Sequence, residues 1–191
     1  MPASGGHSRH RGQARPGRAA PLGTRGTSRG EPGLGEPPRP RTGGLELRSS
    51  AFSDGTLIPE RHSHGGGNHS PALEWLAVPG GAAELVLLCE DPDAPGGTFT
   101  HWVVTRIPPE TSGIEEDGSI PGALEGRNDF GEHGWGGPWP PAGDEPHRYF
   151  FRLHAVDRPL RLGEDATGGQ VRAALAGHVL GTGTLVGRFG R

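Results

Sequence analysis

Two stretches decide the reading of this chain: CEDPDAPGGTFTHWVV (Cys89 to Val104) and GWGGPWPPAGDEPHRYFF (Gly134 to Phe151). Each passes through a Gly/Pro-rich turn and then a histidine that opens a strand. Ahead of the first, ELVLLC (Glu84 to Cys89) is a short apolar run ended by turn residues, the pattern of a buried strand. Pro92 and Pro95 then fix φ and bias the residues before them toward extended geometry, so Asp91 and Asp93 project from a stiff turn. The chain returns through His101 to Val104, where period-two alternation predicts His101 on the face of Val103 and Trp102 on the other. If the two strands pair as neighbours, Asp91 and His101 share one end of the sheet.

In the second stretch, Pro138, Pro140 and Pro141 sit among Gly134, Gly136, Gly137 and Gly143. Such a loop is constrained, and it is too poor in side chains to fill the space it encloses. Its backbone N–H groups are expected to face an anion. His147 and Tyr149 follow at i and i+2 on HRYFFRLHAV, both on one face, with Arg148 on the other. An Asp, two His, a Tyr and a glycine loop make a small polar pocket.

DPDAP followed by THW, and NDFG (Asn128 to Gly131) followed by the GW, GP and PP loop and HRYFF, resemble the two characteristic regions of the phosphatidylethanolamine-binding protein family. The likeness is to its bacterial Raf-kinase-inhibitor-like branch. Ile58 to Trp75 and Gly177 to Phe189 are similar to the flanking segments of that branch, so the resemblance covers about the last three quarters of the chain. It implies a mainly β fold, a β-sandwich of two antiparallel sheets with a few short helices including one near the C-terminus. It also implies a surface pocket for phosphate, acetate or a phosphorylated head group. Carried over to this chain, the pocket residues are Asp91 with Asp93 beside it, His101, the loop residues Gly136, Gly137 and Pro138, and His147 and Tyr149. Departures from the pattern are Trp139, where a smaller residue is usual, and His62 and His64, in place of the more usual Tyr and its neighbour; they imply a different approach to the pocket. Regulation of a kinase, a protease or a signalling complex, and homodimer formation, are further implications of the resemblance alone.

The 191 residues leave room for one domain, and 36 Gly with 20 Pro would suggest disorder if they were evenly spread. They are not. Residues 1–44 hold eight Arg against two Glu and almost no large apolar side chain, so this segment is expected to be a disordered extension, with the domain over 45–191. The whole chain carries −3, so a tail near +6 leaves the domain near −9. A basic tail suits an anionic partner such as RNA or membrane, but composition favours a plain unstructured extension, and no specific nucleic-acid motif is present. No signal-peptide core or membrane-length apolar run is seen, and a cytoplasmic protein is the expectation. The single Cys89 excludes an intrachain disulfide and a multi-thiolate zinc site; at the end of an apolar strand it is expected to be buried and inert.

LELRSSAF (Leu45 to Phe52) is read as the first strand. His62, His64 and His69 surround Gly65 to Gly67 in a loop too loose for a defined metal site, so no metal is expected. Asn128 and Asp129 are expected to build a turn, with Phe130 anchoring it in the core. Trp75 and Trp102 are expected in the core, and Trp135 and Trp139 at the pocket rim. Between Asp165 and Leu180, Val171, Ala174, Leu175 and Val179 recur at helical spacing behind Thr167 as N-cap, predicting a short helix, which could also cover the pocket mouth. TLVGRF (Thr184 to Phe189) should be the last strand.

Asp, His and Tyr can perform acid–base chemistry. No G-x-S-x-G elbow, pocket cysteine or H-E-x-x-H set supplies a nucleophile or metal, however, so no catalytic residue and no cofactor are assigned. The residues are better explained as a receptor for a small anion or phospho-ligand. The alternatives are an enzyme, a hydrolase or lyase acting on a phosphorylated metabolite, and a scaffold acting through its tail.

Overall fold

The computed structural model describes residues 44–191. The extension expected over 1–44 lies, Gly44 apart, outside the described residues. Eight strands and one helix follow in the order β1 (Glu46–Arg48), β2 (Leu73–Leu76), β3 (Glu84–Asp91), β4 (Phe99–Ile107), β5 (Gly113–Ile114), β6 (Leu124–Glu125), β7 (His147–Val156), α1 (Gly168–Leu175) and β8 (Val179–Phe189), with a 3₁₀ turn at Glu60–His62. They form two antiparallel sheets, β1-β2-β5 and β6-β4-β3-β7-β8.

The main core lies between the sheets. Leu47, Leu73 and Trp75 from the small sheet meet Leu85, Leu87, Trp102, Phe151, Leu153 and Leu185 from the large one. Each large apolar side chain removed from water there contributes about 1.5–3 kcal/mol. Every residue of β3 is buried, because its second face is also covered: Val86 and Leu88 pack with Val103, Val156, Ala166, Val171 and Leu175 beneath α1. That double cover explains why ELVLLC shows no alternation.

Three expected elements have shifted ends. The first strand stops at Arg48, since the Ser49 hydroxyl donates to the Ala72 carbonyl and accepts from Ala51 N–H, replacing ladder bonds with a local turn. The helix starts at the predicted cap: Thr167 accepts from Gln170 N–H, and the Gln170 side chain returns a bond to Thr167 N–H. It ends before Val179, which instead opens β8, so the last strand is longer than expected. The helix does not cover the pocket mouth. Its buried residues Val171 and Leu175 face the outer side of the large sheet, because the second core there needs a lid.

Alternation also fails at His101. Pairing runs Cys89 with Trp102 but Glu90 with Thr100, which leaves His101 as the extra residue of a bulge. Trp102 lies in the main core and Val103 in the helix-side core, while the His101 ring sits 5.1 Å from that of Tyr149, a main-core residue. The imidazole is therefore on the side of Trp102, opposite to the face the simple strand period predicts.

Candidate functional site

β3 ends in Asp91 just where β4 begins, and the two pair there as Asp91 with Phe99. β7 lies on the other side of β3 and starts at His147. Strand ends, bulge and pleat thus deliver Asp91, His101, His147 and Tyr149 to one end of the large sheet. They wall a cavity of about 260 Å³ together with Phe99, Phe130, Trp139 and prolines of both turns.

Each polar group has one side committed to the protein. His147 Nδ1 donates to Asp91 Oδ2 at 2.8 Å, both side chains being buried. The other Asp91 oxygen accepts Asp93 N–H at 2.8 Å. Both carboxylate oxygens are used inside the protein, so Asp91 orients His147 and holds its Nδ1–H tautomer. His101 Nδ1 donates to the Gly136 carbonyl at 2.7 Å, and Gly136 N–H donates to the His101 carbonyl at 2.9 Å. Burial lowers the His101 pKa from its ordinary value, against the pull of the Gly136 carbonyl and of Asp91. The Tyr149 hydroxyl is buried without a partner among the described residues, and burial, with Asp91 nearby, pushes its pKa up.

The rim is aromatic. The His64 ring stacks on Phe130 with centroids 4.7 Å apart, and the Arg191 guanidinium lies 3.8 Å over the Trp139 ring. Arg191 Nε also donates to the Pro140 carbonyl at 2.8 Å, which fastens the loop carrying Trp139. A larger groove of about 700 Å³ runs along the small sheet past Glu46, Glu74 and Glu115. It carries those carboxylates on its wall and neither histidine of the two motifs, and the smaller cavity is the candidate site.

The phosphatidylethanolamine-binding protein family matches residues 48–190. The chain belongs to that family. A UPF0098 protein of Methanothermobacter thermautotrophicus is 46% identical over 152 residues, 77% of this chain and 99% of its own length. Among solved structures, a phosphatidylethanolamine-binding protein homologue of Chlamydia trachomatis superposes with a TM-score of 0.72 at 38% identity, covering 78% of this chain and 98% of that one. YbcL of Escherichia coli, described as a member of the mammalian PEBP family, gives a TM-score of 0.74 at 30% identity over 77% and 98% of the two chains. The PEBP fold and its bacterial and archaeal branch are thereby shown for this chain.

In this PEBP member, four expected pocket residues do line the cavity: Asp91, His101, His147 and Tyr149. Four do not. Asp93 turns away to Arg148, accepting its N–H at 3.0 Å, Nε at 2.9 Å and Nη2 at 2.7 Å, and the guanidinium holds the carboxyl at about 2, below the usual range. Gly136 and Gly137 supply no N–H to the cavity, since Gly136 bonds to His101 and Gly137 donates to Asn68 Oδ1 at 2.7 Å. Their role is close approach. A Cβ on Gly136 would stand 2.5 Å from Phe130 Cδ2, and one on Gly137 2.2 Å from the His62 carbonyl oxygen. The Pro138 carbonyl accepts His64 N–H at 3.0 Å, and Pro138 is buried away from the cavity wall.

The aromatic assignments change too. Trp135 is buried and stacks with Phe151, its Nε1 donating to the His62 carbonyl, so only Trp139 stands at the rim. Phe130 is half-buried and walls the cavity instead of anchoring in the core. Phe99 and Asn68 were not foreseen as site residues. Phe99 had a signal, being two residues before His101 on the same strand; Asn68 had none short of its left-handed φ of 58°.

The three loop histidines do not converge. His62 is buried and donates to the His69 carbonyl, and His64 stacks on Phe130. His69 instead meets Glu116 and Asp117, their ligand atoms within 4.8 Å of one another. That exposed group is already balanced internally, with Glu116 paired to Arg61 and Asp117 to His69 and Ser70 N–H. Cys89 is buried and its thiol pKa is raised by burial, against thiolate reactivity.

Proposed function

We propose that this PEBP member is a receptor for a small oxyanion or phospho-ligand, bound in the 260 Å³ cavity. One observation carries the reading: the Tyr149 hydroxyl is buried with no partner among the described residues, which costs about 1–3 kcal/mol unless a ligand accepts its hydrogen bond. His147 supports it. Its Nδ1 is held by Asp91, which leaves Nε2 as the ring atom turned to an anion. The engaged oxygens of Asp91 argue for an orienting role over contact with a ligand ammonium.

The receptor reading is preferred to an enzyme because Asp91, the carboxylate of the cavity wall, has both oxygens engaged by His147 and by Asp93 N–H, and burial raises the Tyr149 pKa, which keeps its hydroxyl a donor. Regulation of a kinase or protease belongs to the same proposal. Trp139 is exposed beside the cavity, where a ligand and a protein partner would meet. Kinase and serine-protease inhibition assays with and without phosphoethanolamine test that part.

The binding reading is tested by titrating the full chain with phosphate and phosphoethanolamine while following histidine ring signals by NMR. Saturable shifts of His101 and His147 are expected, with a saturable heat in calorimetry. Absence of any saturable shift at millimolar ligand overturns the receptor reading.

A further inference from the structure

We propose that the cavity selects a phosphoryl group still carrying one proton over an oxyanion with none, such as a sulfate ester, because His101 offers the ligand a hydrogen-bond acceptor. The inference rests on the anion-receptor reading above and adds the protonation state of the ligand to it.

The geometry begins with the Gly136 carbonyl. A carbonyl oxygen only accepts, so His101 Nδ1, 2.7 Å away, must hold a proton. Nε2 is the ring's remaining nitrogen, without a partner among the described residues, and His101 walls the cavity. It either bears a lone pair or makes the ring cationic. The ring is 3% exposed and packs against Phe99, Phe130 and Tyr149, with centroids 4.9, 5.7 and 5.1 Å away. The Gly136 and Gly137 carbonyls of the loop, Asp91 on β3 and Asp129 on the turn beyond β6 all favour the cation. Burial outweighs them, and the net shift is downward. His101 thus presents a bare nitrogen.

A neutral His101 changes what fits. Beside it, Tyr149 O–H has a proton to give, and His147, its Nδ1 bound to Asp91, gives a second from Nε2 when the ring carries both protons. The matching ligand accepts at two positions and donates at a third. A phosphate monoester with one remaining proton does so; its second ionisation lies near pH 6. A sulfate monoester has the same shape and the same single charge but no proton, so an oxygen lone pair would face the Nε2 lone pair. Sites built around a ligand's donor reject analogues lacking it, because the buried acceptor is left unpaired.

The test compares phosphoethanolamine with ethanolamine O-sulfate on the full chain at pH 6.0, by calorimetry and histidine NMR. An arm with inorganic phosphate tells a free phosphate from a monoester. Phosphoethanolamine is expected to bind at least about tenfold more tightly than the sulfate ester. His101→Asn keeps a donor for the Gly136 carbonyl and withdraws the acceptor from the Nε2 position, since its Oδ1 ends one bond short of it, and the ratio should then fall to within about twofold of unity. Equal binding of the two esters by the wild type overturns the inference and leaves the anion site standing. Binding of neither, with no histidine shift, overturns the receptor reading itself. A ratio unchanged in His101→Asn removes His101 from the selection. Should that variant fail to fold, the ring ¹⁵N shifts of the wild type decide: a protonated Nε2 in the free protein at pH 6.0 overturns the proposal, and an unprotonated one supports it.

Discussion

His101 and Gly136 clasp each other twice, ring N–H to carbonyl at 2.7 Å and amide N–H to carbonyl at 2.9 Å. The first residues of β4 are thereby locked to the proline-rich loop that closes the cavity. Glycine is required because Phe130 occupies the space a side chain would take, 2.5 Å from an ideal Cβ. Gly136→Ala is expected to displace Phe130 or break the clasp. A loss of about 1–3 kcal/mol in denaturant unfolding should accompany weakened phosphate binding.

Tyr149→Phe separates binding from folding. The hydroxyl has no partner among the described residues, so its removal should leave stability unchanged or raise it by up to about 1 kcal/mol. Phosphoethanolamine affinity should fall about threefold to tenfold, a single neutral hydrogen bond's worth. Thermal unfolding and calorimetry on one sample check both. A stability loss with unchanged affinity would make Tyr149 purely structural.

Asp144 sits on the exposed loop with its Oδ2 3.7 Å from His147 Nε2, where the anion would bind. An anion bound at Nε2 would compete with it. Asp144→Asn is expected to tighten phosphate binding about twofold to fivefold at low salt, with the gain fading as ionic strength rises. A calorimetric salt series measures it.

Asp93 serves the turn. Its folded pKa of about 2 lies below the value near 3.9 of an unfolded chain. The stabilisation is therefore complete above about pH 4 and is lost as pH falls through about 2. Asp93→Asn should cost no more than about 1 kcal/mol at pH 6, since solvent screens the pair. The gap from wild type should close between pH 4 and pH 2 in urea unfolding curves.

Much of this protein was legible without coordinates because it depends on local chemistry. The buried strand at ELVLLC, the stiff DPDAP turn, the shared face of His147 and Tyr149, and the Thr167 cap follow from period, proline geometry and hydrogen-bonding capacity within a few residues. The two long motifs around them were specific enough to indicate the family and its two antiparallel sheets.

Tertiary structure decided what depended on residues far apart in sequence. A bulge against β3 turned His101 to the side opposite the one alternation predicts. Arg148, 55 residues away, drew Asp93 out of the pocket. Asn68 and the His101 carbonyl consumed the N–H groups of Gly137 and Gly136 that a loop read alone would offer to an anion. A sequence shows which groups can donate and accept. Which of them remain free for a ligand is settled only when every nearby group has found its partner, and those partners are set by long-range packing.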